Sequence, residues 1–223
     1  GIIVNPIAHN KLLFESLVEE RYPLVFINRR IDNIRVDMVI MDNIHGTKLA
    51  IEHLLSKGRK RIGILLYPLE GVSPRQERLE GYKQTLIKHG LPITYDLIKI
   101  VPEHKGSSKK AVIDWVKGED RPDAIFSTNN TMTLEILEGI YESGLRVPDD
   151  IAVVGYDETV WSKHLNPPLT TIEQPAYQMG ELAAKRLIKL IESKRRPSPQ
   201  IQVLKPNIIV RRSCGANKEE FRE

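Results

Sequence analysis

Cysteine, long apolar runs and recognisable leader segments are scarce or missing in this sequence. Cys214 is the only cysteine among 223 residues, which excludes a disulfide framework and a thiolate metal site and suits a reducing cytoplasm. No stretch approaches the roughly 20 apolar residues of a membrane span. No signal peptide is visible, and the chain opens directly on a predicted strand, residues 1–4. We therefore expect a cytoplasmic protein whose natural N-terminus lies upstream of Gly1.

Signatures of catalysis are missing as well. The six histidines show no HExxH or other metal-ligand spacing, and no Gly-x-Ser-x-Gly elbow, P-loop or Gly-x-Gly-x-x-Gly fingerprint is present. The acidic pair Asp149 and Asp150 precedes a predicted buried strand, which indicates capping instead of acid–base chemistry. The sequence therefore predicts a binding protein that is not an enzyme and that uses no metal or cofactor.

The charges of the chain are nearly balanced. It has 33 Lys and Arg residues against 29 Asp and Glu residues, a net charge of +4, which gives a mixed surface and not a strongly basic one. Short basic clusters such as residues 57–61 fall at predicted helix ends, where cations complement the helix dipole. We favour this role for them over contact with nucleic acid.

Apolar runs alternate with helical patterns from one end of the chain to the other. This alternation predicts an α/β protein in which parallel sheets are flanked by helices. Predicted strands fall at residues 1–4, 24–27, 36–41, 62–66, 97–101, 124–127, 151–155, 201–204 and 207–210. Predicted helices cover residues 9–20, 43–58, 73–90, 107–117 and 131–143, and a long one begins at Pro175. We expect Leu12 and Leu13 of the first helix to point inward and Ala176 of the last to lie on its core face. We expect irregular structure up to Thr171 and disorder in the polar tail, residues 214–223.

Residues 144–158 are the most informative segment. Gly144 is typical of a helix C-cap, Pro148 prevents the helix from continuing, and the apolar run 151–154 predicts a strand buried on both faces. Asp157 follows just past the carboxyl end of that strand, which is where ligands bind in open α/β sheets. The alternative is that Asp157 caps the next turn.

Other polar side chains follow predicted strands in the same way. Asn28 and Asn129 each come directly after a strand, and Arg78 lies in the first turns of a helix that follows another. A cation there opposes the helix dipole by a few tenths of a kcal/mol to about 1 kcal/mol, so a hydroxyl-rich or anionic ligand would compensate it. A salt bridge from Arg78 to Glu77 or Glu80 is the alternative.

Trp161 lies four residues after Asp157, and the sequence leaves two roles open for it. Its ring would form an apolar wall against the C–H face of a sugar, or it would pack beneath the loop that contains Pro167 and Pro168.

A series of motifs lies in order along residues 1–213. They are Pro23-Leu-Val-Phe-Ile-Asn-Arg29, Asp42-Asn-Ile-His-Gly46, His53-Leu-Leu-Ser-Lys-Gly58 with Arg61-Ile-Gly63, Arg78-Leu-Glu-Gly-Tyr82, Pro122-Asp-Ala-Ile-Phe126, Val147-Pro-Asp-Asp-Ile-Ala-Val-Val-Gly-Tyr-Asp157, Pro168-Leu-Thr-Thr-Ile-Glu-Gln-Pro175 and Arg211-Arg-Ser213. Together they resemble the effector-binding core of the lactose/galactose repressor family of bacterial transcription regulators.

The resemblance implies two Rossmann-like lobes joined by three crossovers, as in periplasmic sugar-binding proteins, with an effector between the lobes. It assigns residues 1–41 and 173–204 to the first lobe and residues 42–172 and 205–213 to the second, followed by the tail 214–223. The crossovers would form a hinge. The family's helix-turn-helix headpiece and the opening strand–helix–strand–helix unit of its first lobe have no match here, so we expect an incomplete first lobe.

The resemblance also implies a function and a set of contacts. The effector-binding residues would be Arg78, Asn129 and Asp157, with Asn28 where the family often has Asp, and we add Trp161 to this set. The chain would be the effector-binding and dimerisation core of a cytoplasmic regulator. Its partners would be a sugar-like effector, a second copy of itself and operator DNA through the headpiece, with no membrane. The alternative function is a periplasmic sugar-binding protein of a transporter, and the residues upstream of Gly1 would separate the two.

Overall fold

The computed structural model describes residues 1–195, 197–217 and 220 of the chain. The described chain divides into two compact units. Unit 1 contains Gly1–Asp42, Leu69–Gln76 and Pro175–Pro206, and unit 2 contains Asn43–Pro68, Glu77–Gln174 and the chain from Asn207 onward. The division expected from the family kept residues 42–172 together, whereas Leu69–Gln76 lies in unit 1.

Unit 1 is built on a parallel four-stranded sheet in the order β1-β2-β3-β9. In its register, Val25 pairs with Asp37 and Val39 pairs with Gln202. The side chains of the two central strands are buried or nearly buried on both faces, as those of parallel strands between two helical layers are. The strands are β1 (Ile2–Val4), β2 (Leu24–Ile27), β3 (Asp37–Met41) and β9 (Ile201–Leu204).

The helices of unit 1 are α1 (Lys11–Glu19), which follows a short 3-10 turn, and α6 (Ala176–Glu192). Phe14 packs edge-on against Phe26 with ring centroids 5.0 Å apart, so α1 covers one face of the sheet. We expected Leu12 and Leu13 to point inward, and that prediction is wrong: they are 82% and 57% exposed. A helix of nine residues offers the sheet only a narrow stripe, and Phe14 occupies its centre.

The opposite face of the unit 1 sheet is covered by α6. Met179, Ala183 and Leu190 are buried against Val25 and Val39. Ala176 was also expected on this core face, and that prediction is wrong, because Ala176 is exposed at the first position of the helix.

Unit 2 is built on a six-stranded sheet in the order β10-β8-β7-β6-β4-β5, in which only β10 runs antiparallel to its neighbour. The strands are β4 (Ile62–Leu66), β5 (Ile98–Ile100), β6 (Ala124–Ser127), β7 (Ala152–Tyr156), β8 (Thr170–Glu173) and β10 (Asn207–Ile209). The helices are α2 (Asn43–Ser56), α3 (Ser73–Lys88), whose first residues belong to unit 1, α4 (Ser107–Trp115) and α5 (Asn130–Glu142).

The C-terminal region departs from the sequence prediction at two places. Strand β8 was not predicted, and its first two residues, Thr170 and Thr171, fall in the stretch that we expected to be irregular. The expected disorder from residue 214 is wrong at its start, because Ser213 and Cys214 are buried in a short 3-10 helix. The Ser213 hydroxyl donates to the Val153 carbonyl at 2.6 Å and accepts from the Thr170 amide at 2.8 Å. Residues 218, 219 and 221–223 of that tail lie outside the described residues.

Among the described residues, no helix combines the length and the apolar character that crossing a membrane requires.

Candidate functional site

The carboxyl ends of β4, β6, β7 and β8 meet at one edge of the unit 2 sheet, because these strands are parallel neighbours. Asn129 follows β6, Asp157 follows β7 and Gln174 follows β8. Arg78 lies in the second turn of α3, the helix that comes after β4. The fold therefore brings Arg78, Asn129 and Asp157 to the same edge of unit 2, together with Gln174, which the sequence analysis did not single out.

Arg78 is buried, with 6% of its surface exposed, and is held on three sides. Its Nε donates to Asn43 Oδ1 at 3.0 Å, and its Nη1 donates to the Thr128 carbonyl at 2.6 Å. The guanidinium also stacks on the Tyr156 ring, 3.5 Å from the ring centroid. Within the described part of the chain it forms no ion pair with a neighbouring carboxylate, which was the alternative left open by the sequence.

Tyr156 and Asn43 complete this buried junction. The Tyr156 hydroxyl donates to Asn43 Oδ1 at 3.2 Å. Burial raises the pKa of Tyr156, and the nearby Arg78 charge only partly opposes this, so the phenol stays protonated and remains a donor. One amide oxygen therefore accepts from both Arg78 and Tyr156.

Asn129 is the N-cap of α5. Its backbone is extended (φ −158°, ψ 145°), and its side-chain oxygen accepts from the Met132 amide at 3.2 Å. The side chain is half-buried, and capping uses its oxygen. The amide nitrogen has no hydrogen-bond partner in the described part of the protein, so it can donate to a ligand.

Asp157 adopts a left-handed backbone conformation with φ at 73°. A non-glycine residue there is strained, and such strain concentrates at functional sites. Its amide donates to the Ile172 carbonyl at 2.9 Å, which extends the pairing of β7 with β8 by one residue. Gln174 Nε2 donates to one oxygen of the Asp157 carboxylate. The half-buried carboxylate is thereby oriented by its neighbour.

A bidentate ion pair stabilises the chain next to Asp157. Arg211 donates to the two oxygens of Glu158 at 3.0 and 2.8 Å, and the Thr171 hydroxyl also donates to this carboxylate. Burial alone would raise the pKa of Glu158, but the hydrogen bonds from Arg211 and Thr171 outweigh it and hold the pKa below its ordinary value. The pair ties the loop after β7 to the chain after β10.

Asn28 belongs to unit 1, where it follows β2. It too has a left-handed backbone, with φ at 66°, and its amide donates to the Val39 carbonyl at 2.9 Å. Its side-chain oxygen is buried and finds no hydrogen-bond donor among the described residues. An acceptor in that situation is costly, so a donor from a ligand would stabilise it.

Trp161 is partly buried and packs against the main core cluster of unit 2, as Leu165 does. Its role as a wall for a sugar stays a prediction.

The described residues contain no group of three or more His, Cys, Asp or Glu side chains arranged to hold a metal ion.

Asn43, Tyr156 and Gln174 were missed because each resembles an ordinary structural residue in the sequence. Asn43 begins a helix and looks like a cap, and Tyr156 ends an apolar strand. Gln174 directly follows a strand, but β8 reads Thr-Thr-Ile-Glu and lacks the apolar run that preceded Asp157, so this strand was not predicted.

Comparison with known proteins places the chain in a family. Residues 51–214 match the model of the periplasmic binding protein-like domain. The chain is 32% identical over 213 residues to the probable HTH-type transcriptional regulator EndR of Paenibacillus polymyxa, covering 94% of this chain and 62% of that protein. It is 31% identical to the HTH-type transcriptional regulator KdgR of Bacillus subtilis, covering 96% of this chain and 63% of that protein. The chain thus spans a little over three-fifths of these relatives.

Solved structures of transcription regulators also superpose well on this chain. A complex of the transcriptional regulator CelR with cellobiose superposes with a TM-score of 0.86 at 30% identity, covering 96% of this chain and 65% of that one. A LacI family regulator from Enterococcus faecium with bound ribose gives a TM-score of 0.81 at 25% identity, covering 95% of this chain and 78% of that one. The predicted α/β fold is confirmed, and the chain belongs to the LacI, or lactose/galactose repressor, family of transcription regulators.

Proposed function

We propose that this chain is the effector-binding core of a ligand-responsive bacterial transcription regulator, and that its effector is a sugar or a sugar derivative. The observation that carries the proposal is the polar edge of unit 2, where Arg78, Asn129 and Asp157 follow neighbouring parallel strands. Relatives solved with cellobiose and with ribose support the choice of a sugar.

The chemistry of this edge suits a polyhydroxylated ligand. The Asp157 carboxylate has an oxygen that Gln174 does not use, and it accepts from hydroxyl groups. Arg78 commits Nε and Nη1 to the protein, which leaves Nη2 to donate to ligand oxygens. Each hydrogen bond to a charged group contributes about 1.5–3 kcal/mol. A sugar hydroxyl both donates and accepts hydrogen bonds, so an edge that offers donors and acceptors suits it.

The rest of the functional assignment follows from the relatives' names. Because EndR and KdgR are HTH-type regulators, we propose that operator DNA is bound through a helix-turn-helix headpiece outside this chain. We further propose a homodimer, a cytoplasmic location and no enzymatic activity. The curated relatives are regulators of transcription, which argues against the transporter component considered from the sequence.

A thermal-shift screen over mono- and disaccharides, sugar acids and sugar phosphates tests the proposal. A sugar at 100 times its dissociation constant stabilises the protein by about 2.7 kcal/mol, which should raise the melting temperature by several degrees. Asp157→Asn should abolish most of the shift. Asp149→Asn, the same change at an exposed carboxylate near the opposite end of β7, should leave it intact. A panel in which no sugar stabilises the wild-type protein would overturn the proposed function.

A further inference from the structure

Helix α3 and strand β7 of unit 2 both contribute side chains that contact Asn43. Asn43 begins α2 and is 1% exposed. Its Oδ1 accepts from Arg78 Nε of α3 at 3.0 Å and from the Tyr156 hydroxyl of β7 at 3.2 Å. Its Nδ2 donates to Glu77 Oε2 at 2.8 Å. These partners lie 34 to 113 positions away in the sequence, so only the folded chain assembles the junction.

The partners fix which way the amide points. Two donors face the oxygen and a carboxylate faces the nitrogen. A flipped amide would place its NH2 group against the two donors and its oxygen against the carboxylate, so both sets of hydrogen bonds would be lost. The oxygen in turn fixes one edge of the Arg78 guanidinium, while the Thr128 carbonyl holds Nη1 and the Tyr156 ring supports one face. An arginine side chain without these contacts would lose conformational entropy when a ligand orders it.

We infer that Asn43 is a positioning residue for the effector site: together with Tyr156 it holds the Arg78 guanidinium in the orientation that presents Nη2 to the ligand. The inference rests on the proposed function, because it requires that Arg78 binds the effector. Its physical basis is preorganisation, since a donor that is ordered before binding loses less entropy on binding.

Two substitutions at Asn43 separate this role from simple packing. Asn43→Leu keeps the branched shape of the side chain and removes both polar atoms. Asn43→Asp made together with Glu77→Gln keeps an acceptor for Arg78 and Tyr156 and avoids a second carboxylate against Glu77. Asn10→Leu is the matched control, because Asn10 is exposed in unit 1 and makes no side-chain capping bond.

The first measurement needs no effector. In a ¹H–¹⁵N spectrum, the Nε–H signal of Arg78 should be resolved and protected from solvent exchange in the wild-type chain and in Asn10→Leu. Asn43→Leu should move it toward the free-arginine position and raise its exchange rate about tenfold or more, and Asn43→Asp with Glu77→Gln should preserve it. Should Asn43→Leu fail to fold, Tyr156→Phe removes the other donor from the same oxygen and should also displace the signal. An unchanged Arg78 signal in these variants overturns the inference.

The second measurement uses the sugar that gives the largest thermal shift in the screen described above. Asn43→Leu should weaken its affinity about ten- to a hundredfold, and Asn43→Asp with Glu77→Gln should retain most of it. With Arg78 replaced by Met, Asn43→Leu should weaken binding less than about twofold further, because a residue that acts through Arg78 has nothing left to position. A full additional loss in that background overturns the inference. Absence of any binding sugar overturns the proposed function and the ligand role with it, whatever the Arg78 signal shows.

Discussion

Removing the charge of Glu158 should destabilise unit 2 by a predictable amount. Glu158 accepts two hydrogen bonds from Arg211 and one from Thr171, with side chains of Glu158 and Arg211 only 20% and 18% exposed. Glu158→Gln keeps one acceptor oxygen but leaves Arg211 without its counter-charge. A hydrogen bond to a charged group contributes about 1.5–3 kcal/mol, so we expect a loss in this range.

The loss should depend on pH in a defined direction. The folded-state pKa of Glu158 is lowered, so the carboxylate stabilises the fold above its ordinary pKa of about 4.3. That contribution disappears as the pH falls through the lowered value. The difference in unfolding free energy between the wild type and Glu158→Gln should therefore be constant near pH 7 and shrink below about pH 4.

Urea unfolding followed by tryptophan fluorescence suits this test, because the chain has two tryptophans and both Trp115 and Trp161 lie in unit 2. Glu80→Gln is the matched control, since Glu80 is exposed and accepts a hydrogen bond from Gln84 on the same helix. The control should change stability by less than about 0.5 kcal/mol. The expectation would be refuted if Glu158→Gln changed the unfolding free energy as little as the control does, or if its effect were the same at pH 3 as at pH 7.

Three further predictions concern Asp157, Gln174 and a buried ion pair of unit 1 in which Arg186 Nε donates to Asp37 Oδ1 at 2.6 Å. Asp157→Ala should weaken sugar binding by about 1.5–3 kcal/mol in a domain that stays folded, and calorimetry showing unchanged affinity would contradict this. Gln174→Leu should weaken sugar binding about tenfold, because the Asp157 carboxylate loses its orienting donor. Gln174→Glu places a second negative charge beside Asp157, so the same calorimetry should show a larger loss of affinity. Arg186→Met should destabilise unit 1 by about 3–5 kcal/mol by leaving Asp37 buried without its cation, and adding Asp37→Leu should recover part of this loss in thermal unfolding.

The sequence by itself determined the layers of the fold and which polar side chains follow the buried strands of unit 2. Runs such as Ile62–Leu66 are too uniformly apolar to have a solvent face, so they predict covered parallel strands. Since parallel strands share one carboxyl edge, the polar residues that follow them, Asn129 and Asp157, were expected to lie near one another. These inferences succeed because they depend on local pattern and on a general property of α/β sheets.

Only the tertiary structure decided which side chains hold the site together. Nothing in the sequence links Asn43 with Tyr156, 113 positions away, or shows that one amide oxygen serves both Tyr156 and Arg78. The exposure of Leu12 and the buried turn at Ser213 were hidden for a related reason. Periodicity reports which residues are apolar, whereas burial and hydrogen bonding depend on which surfaces the rest of the chain brings against them.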